Sequence, residues 1–408
     1  SHTVSLPKKG ALVLLFLLAP LAFSWAQDTK ELTLEEALTR AEKQNPLLQA
    51  SQKRLESVQA MTGTAWNLGR TEVYHAQDQN DIAENGVFNQ VWGIRQGLEF
   101  PSVYATQKNY LKAGQRQEEA RLELDVRALK KEVSRTFIQA QYWMELEKRF
   151  DYLDSLYVSF ARAASRRLET GDATLLEKLT AESKQKEIGL RKSEAQSEKK
   201  KALIQLASLI QWESEGEGEL TISSKPVILA DVNSQEGHPG ISWYEAGKQQ
   251  ALFQTRVEQQ AFLPDVKVNL FRGTNLAAGS KIYPGFEVGL GIPLFFGAQS
   301  AKVKSSKSVQ QQLELEAVNF QSRLESQSRA LQSTLAQQLS VIQYYETGGK
   351  QLGDQLREQA IRSFAEGEID FIQYVQLIEN SQSLDLQYLQ AKRDYLLNQL
   401  ELIYFTIL

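Results

Sequence analysis

From Pro101 to Pro226 the chain carries no intervening proline, and this long clean stretch limits its folding more than any other feature. Proline inside a helix costs about 3 kcal/mol, so its absence permits one continuous helix. Between Pro101 and Gly171, apolar residues recur mostly at three- and four-residue steps: Val126, Leu129, Val133, Phe137, Ala140 and Met144, then Leu153, Leu156, Phe160 and Ala164. A narrow apolar stripe beside a broad polar face predicts a helix over 102–168 whose surface mostly meets water. At 1.5 Å per residue it spans roughly 100 Å, more than a globular domain needs. Reach is part of what this chain is built for.

The features around this helix occur twice. Residues 33–68 read as a helix, with Thr33 and Glu36 spaced as a capping box and Asn45-Pro46 as a break. Trp92, Ile94, Leu98 and Phe100 share one face of an alternating run over 91–100, which predicts a strand. A weaker strand over 70–78 and a loop over 79–88 complete a hairpin. Beyond the long helix, Thr170-Gly171-Asp172 makes a turn and 173–211 returns as a helix. Residues 212–240 are mixed and acidic, a connector with little periodicity. The series then restarts with a helix over 243–263 and a hairpin from 265–272 and 285–292, where Phe286, Val288, Leu290 and Ile292 alternate with Gly285, Glu287, Gly289 and Gly291. A second proline-free helix runs to Glu366 along Leu313, Phe320, Leu324, Leu331, Leu335, Leu339 and Ile342, weakened locally by Gly348-Gly349. After the turn at Gly367, residues 371–406 return as a helix.

The landmarks keep their spacing. Asn45-Pro46 and His238-Pro239 are 193 residues apart, Phe100-Pro101 and Ile292-Pro293 192, Ala65-Trp66 and Ala261-Phe262 196, and Gly171 and Gly367 196. This spacing predicts a tandem duplication, with a first repeat over 27–211, the connector over 212–240 and a second repeat over 241–408.

Four strands, each near the ~9–11 residues that cross a bilayer, are too few for a barrel, which needs about eight to close. Three copies supply twelve. The fold class expected is mainly α with a small β part: a duplicated helix-hairpin-helix protomer of a trimeric α-helical barrel joined to a 12-stranded transmembrane β-barrel. Helices 33–68 and 173–211, stacked end to end, match the length of 102–168 and give two equal columns. The plainer reading of the hairpins, a sheet in a soluble core, lacks helices with a wide apolar face to cover it. A soluble coiled-coil rod explains the helices but not the hairpins.

The totals exclude several other classes. A formal charge of −4 argues against a nucleic-acid partner, which calls for a concentrated basic face. There is no cysteine, hence no disulfide scaffold, thiolate site or lipid on an N-terminal cysteine. Only His2, His75 and His238 occur, scattered, so neither a metal site nor a cofactor is expected. No Gly-x4-Gly-Lys-Ser/Thr motif is present, and Gly289-Leu290-Gly291 lies within a strand. The chain does not read as an enzyme. One strongly apolar run, 11–23, follows Lys8-Lys9 and precedes Ser24-Trp25-Ala26, as in a secretory signal over 1–26 cleaved before Gln27. Because the chain opens with Ser1, the alternative stays open that it is cut from a longer polypeptide and that this run follows an upstream membrane domain.

Several motifs together resemble the TolC family of bacterial outer-membrane efflux channels over about residues 30–408. They are L-T-L-E-E-A-L-x7-N-P-L-L at 32–48, A-F-L-P-D at 261–265, the Phe-Pro and Ile-Pro strand-to-helix junctions, and the turns R-L-E-T-G-D-A-T-L-L and S-F-A-E-G-E-I-D-F-I. A-W-N-L-G-R at 65–70 resembles the branch serving heavy-metal exporters of the resistance-nodulation-division class. The resemblance implies a homotrimer set in outer-membrane lipid and extending into the periplasm of a Gram-negative cell. There a periplasmic adaptor and an inner-membrane resistance-nodulation-division pump would dock, and solutes, heavy-metal cations among them, would pass outward. The alternative is a periplasmic adaptor or structural rod. By the resemblance, docking falls on Leu168, Glu169, Thr170, Gly171, Asp172 and Leu175 of the first turn and on Phe364, Glu366, Gly367, Glu368 and Asp370 of the second. The family's gating aspartates would stand at Gln373 and Gln376, where this chain departs from the pattern, with Glu177 at the matching place in the first repeat.

Overall fold

The computed structural model describes residues 31–78, 88–213, 218–229 and 237–405. The expected leader over 1–26, most of the 79–88 loop and parts of the connector lie outside them. The chain opens with α1 (Leu34–Gln44) and α2 (Pro46–Met61), followed by a 3-10 turn at Thr62–Trp66. Next come β1 (Glu72–Asp78), β2 (Asn89–Leu98), α3 (Pro101–Glu169) and α4 (Leu175–Ile210). The second half holds α5 (Pro239–Gln260), β3 (Asp265–Thr274), β4 (Tyr283–Gly291) and α6 (Gly297–Tyr344). A π-turn at Tyr345–Gly349 then leads into α7 (Lys350–Ala365), and α8 (Phe371–Phe405) closes the series. No described helix is long and apolar enough to cross a membrane.

Local chemistry sets these boundaries. Thr33 Oγ1 accepts from the Glu36 N–H (3.3 Å) while Glu36 Oε2 accepts from the Thr33 N–H (3.0 Å), the expected capping box. Phe100 leaves the strand that its alternation suggested: Pro101 takes the first helical position, and Phe100 becomes the extended N-cap of α3. Likewise the first helix stops at Met61, short of position 68. Gly348-Gly349 does not break the second long helix but widens one turn of it.

α3 is 69 residues long, and most of the other helices pack along it. Against it α4 lays Ala181, Ile188, Ala195 and Ala202, spaced seven apart and buried, which lets the two backbones approach closely. The ends of α1 and α4 meet as the column lengths predicted. Arg40 donates to the Ile210 and Gln211 carbonyls (both 2.9 Å) and Asn45 Nδ2 donates to the Leu209 carbonyl (2.9 Å). These bonds satisfy carbonyls that a helix end leaves without intrahelical donors, with a cation at the negative end of the dipole. The connector is more structural than its composition suggested. Leu220 and Ile222 are buried against Val133, Phe137 and Leu206, and Ile222 pairs with Leu32 in a parallel bridge. Two apolar residues in a short extended piece carry no periodicity for a sequence reading to detect.

His238 stands at the N-cap of α5, as Asn45 does for α2. Its Nδ1 accepts from the Gly240 N–H (3.0 Å), and the ring also bonds the backbone of Tyr404 near the end of α8. Burial foremost, then the charge of Arg127, pushes its pKa down to about 4, against the opposing pull of the Tyr404 bond. The unfolded chain takes up this proton near pH 6.5. His238 therefore stabilises the fold fully above about pH 6.5, and its contribution is lost as the pH falls toward about 4, by on the order of 3 kcal/mol. His238→Asn, which restores the Asn45 type of cap, should abolish that slope in a pH series of denaturation midpoints. An unchanged slope would assign it elsewhere.

The four strands form one antiparallel sheet in the order β1-β2-β3-β4, so β2 and β3 join the hairpins of the two halves. The register places Val73, Ile94, Leu270 and Phe286 in one row across the sheet and Glu72, Arg95, Asn269 and Glu287 in the next row, on the opposite face. The first row is wholly apolar and exposed. In the second, Arg95 pairs with Glu72 (3.4 Å) and Asn269 donates to Glu287 (3.2 Å). One face therefore suits hydrocarbon and the other water. Gln96, on the apolar face, is satisfied locally by Thr71 (2.5 Å) and by the Gly69 and Gly97 carbonyls (both 2.9 Å). Among the described residues, β1 and β4 each have a strand neighbour on one side only.

Candidate functional site

The two helix-to-helix turns have the same hydrogen bonding at a separation of 196 residues. In the first, the Asp172 N–H donates to the Arg167 carbonyl (2.8 Å) and the Gly171 N–H to the Leu168 carbonyl (3.2 Å). In the second, the Glu368 N–H donates to the Ser363 carbonyl (2.9 Å) and the Gly367 N–H to the Phe364 carbonyl (3.2 Å). This is the Schellman arrangement, which needs a left-handed residue. Gly171 at φ +81° and Gly367 at φ +75° supply it. An added Cβ would meet nothing within 4 Å at either position, so alanine should cost only the backbone term, about 1–2 kcal/mol per turn. Faster amide exchange at residues 170–174 and 366–370 would report it; unchanged exchange would contradict it.

Each turn passes directly into a capped helix. Thr174 accepts from the Glu177 N–H (3.2 Å). In the second turn Asp370 Oδ1 accepts from the Gln373 N–H (2.7 Å) while Gln373 Oε1 accepts from the Asp370 N–H (3.2 Å). Gln373 thus spends its side chain on a reciprocal cap. Asp172 accepts from Thr170 Oγ1 (2.7 Å) and Glu368 from Ser363 Oγ (2.8 Å), so both carboxylates also serve the turns that carry them.

Between the turns lies a cleft of about 600 Å³, lined by Arg167 and Glu177 from one side and by Phe364, Glu366, Glu368 and Asp370 from the other. It brings together much of the second-turn set with Glu177. Leu168, half-buried, and Leu175, 59% exposed, are not part of the cleft, nor is the exposed Gln376. Glu169 and Glu366 are exposed, and their side chains take no part in the turns' hydrogen bonds.

Phe364 does more than stand at the tip. Its ring packs on Tyr374 (4.7 Å), Phe371 (6.0 Å) and Phe160 (6.3 Å), and Phe160 also meets Tyr374 at 4.7 Å. Rings from α3, α7 and α8 thereby lock the two turns to each other. Above this cluster Asp385 on α8 is held by Arg149 of α3 (3.4 Å) and Arg357 of α7 (3.2 Å). The Tyr157 and Tyr374 hydroxyls are buried without a protein partner. Burial, with a smaller push from the charge of Glu379 against that of Lys184, raises Tyr157 to about 12. Neither the ring cluster nor the Asp385 clamp follows from the sequence patterns. The aromatic composition near the turns is the available signal, but its pairing spans three helices.

Among the described residues no three His, Asp or Glu side chains converge as a metal site. No family model and no curated relative matches the sequence. Solved structures do. The outer membrane channel CmeC of Campylobacter jejuni matches with a TM-score of 0.78 at 15% identity, over 100% of this chain and 94% of that one. The outer-membrane channel OprN matches with a TM-score of 0.77 at 15% identity, over 91% and 89%. CusC, solved in connection with folding and transmembrane channel formation, matches with a TM-score of 0.72 at 16% identity, over 90% of each chain. The likeness is one of fold, and CusC does not stand out in it.

Proposed function

We propose that this chain is one third of a homotrimeric, passive outer-membrane efflux channel. In this reading three four-stranded sheets close into a barrel in the outer membrane, and the helices continue it as a tube through the periplasm. The observation that carries the reading is incompleteness on two levels. β1 and β4 each present a bare edge, a hazard in a finished fold and a joint in an unfinished one. α4, besides the stripe buried on α3, carries Leu179, Leu190 and Ile204, exposed by 53%, 74% and 61%. At 100° per residue they lie within about 20° of the opposite side of the helix. A helix with two opposed apolar stripes needs cover on both sides, and the described residues cover one. The far flank of the protomer offers the complement on α6, where Leu315 and Val318 are 72% and 68% exposed.

The fold shared with outer-membrane channels supports the same reading, as does the absence from the sequence of any motif that hydrolyses nucleotide. Transport energy would come from an inner-membrane pump of the resistance-nodulation-division class through a periplasmic adaptor docked on the two turns. Tripled, Glu169, Asp172, Glu177, Glu366, Glu368 and Asp370 make an acidic mouth, which favours cations, heavy-metal cations included. Conductance in planar bilayers under a salt gradient tests this. The reading expects discrete trimer channels with a cation-selective reversal potential, and protein that inserts without conducting would end it. For docking, Glu169→Lys with Glu366→Lys spares the turn hydrogen bonds and should uncouple efflux while trimers persist. Full resistance in that variant would remove docking from these residues.

A further inference from the structure

We infer that the waist of each protomer holds a binding site for an amphipathic monoanion, an aromatic or acyl carboxylate or sulfonate. Where α3, α5, α6 and α8 meet, a cavity of about 490 Å³ opens, a size typical of small-molecule sites. Its wall is aromatic, from Trp243, Tyr244, Phe320 and Tyr404, and its charged groups are mainly basic, with Arg121 and Arg127 among them. Lys131, the third cation, pairs with Glu401 (2.7 Å). The one carboxylate of the lining, Asp125, already accepts from Ser51 (2.7 Å) and Arg54 (2.8 Å). The lining thus presents rings to an apolar body and, at Arg121, a guanidinium to an anion.

The wall is fixed in advance. The Phe320 ring meets Tyr244 at 5.2 Å and His238 at 5.5 Å, and Trp243 meets Tyr244 at 4.9 Å. Phe320 also lies so close over Gly240 that any side chain there would displace it. All four helices belong to one chain, so a single copy supplies the whole of this lining. A preformed cavity loses little ordering entropy on binding, which favours a ligand that spans the rings and reaches the cations.

The probe pair is anilinonaphthalene sulfonate and its neutral analogue N-phenylnaphthylamine, titrated into the full chain in uncharged detergent. Energy transfer from tryptophan should reveal one saturable site per chain for the anion, with the signal reduced in Trp243→Phe. Arg121→Gln should weaken the anion about tenfold and leave the neutral analogue unchanged. Ala128→Phe, which fills the cavity from its rim, should remove the saturable component. Mass spectrometry of the purified protein separates two sources: an acyl anion copurifying one per chain marks a resident lipid, and a cavity that takes only the added probe marks a solute in passage. Equal affinity for both probes, or saturable binding that survives both Arg121→Gln and Ala128→Phe, overturns the assignment.

Discussion

Leu270→Arg is expected to abolish assembly in the membrane, while Lys267→Glu, three residues away, is expected to leave it intact. Leu270 sits in the row Val73, Ile94, Leu270 and Phe286, whose members are 70%, 50%, 59% and 77% exposed. In the proposed barrel, lipid covers this row. An arginine near the midplane of a barrel costs about 2–4 kcal/mol. In the proposed trimer three copies would suffer it together, for roughly 6–12 kcal/mol, comparable to the whole stability of an ordinary domain. Lys267 shares its row with Gly97 and Gly289 on the opposite, polar face, which lines the lumen in the proposed barrel, so reversing its charge should alter only ion selectivity. Membrane fractions and heat-resistant trimers on gels measure both. Normal trimers of the Leu270→Arg variant would show that the apolar face does not meet lipid.

The second large effect lies at the tip. Tyr374→Ala should cost about 3–5 kcal/mol, because the ring is fully buried (0% exposed) among Phe160, Phe364 and Tyr157 and little can collapse into the hole. Tyr374→Phe should do the reverse, leaving stability unchanged or raising it by about 1 kcal/mol, since the hydroxyl is buried without a protein partner and burial pushes its pKa far up. Amide exchange over residues 364–378 is the appropriate probe, because it reads local opening separately from global unfolding. If phenylalanine destabilises as much as alanine, the hydroxyl has a role beyond filling space.

Much of this architecture is legible in the order of the residues. The proline-free run yields α3 almost to the residue, and the 196-residue spacing of Gly171 and Gly367 anticipates two turns with matching hydrogen bonds. Alternation over 285–292 identifies β4 because a two-sided strand must alternate. The rest depends on contacts that sequence order hides. Phe160, Phe364, Phe371 and Tyr374 meet only once three helices are packed, and Asp385 finds its two arginines the same way. Gln373 also has a local reading that the sequence offers: Asp370-x-x-Gln373 is itself a capping box, which the glutamine completes. Leu220 and Ile222 show the opposite limit, two buried residues in a segment too short for any period.

Copy number is the most direct test of the central claim. Native mass spectrometry of the full chain released from uncharged detergent should return three chains per particle, because in the proposed assembly neighbouring copies cover β1, β4 and the outer stripe of α4. A particle of one chain, soluble once the detergent is removed, would mean that those edges and that stripe are finished surfaces, and no channel could be built from them.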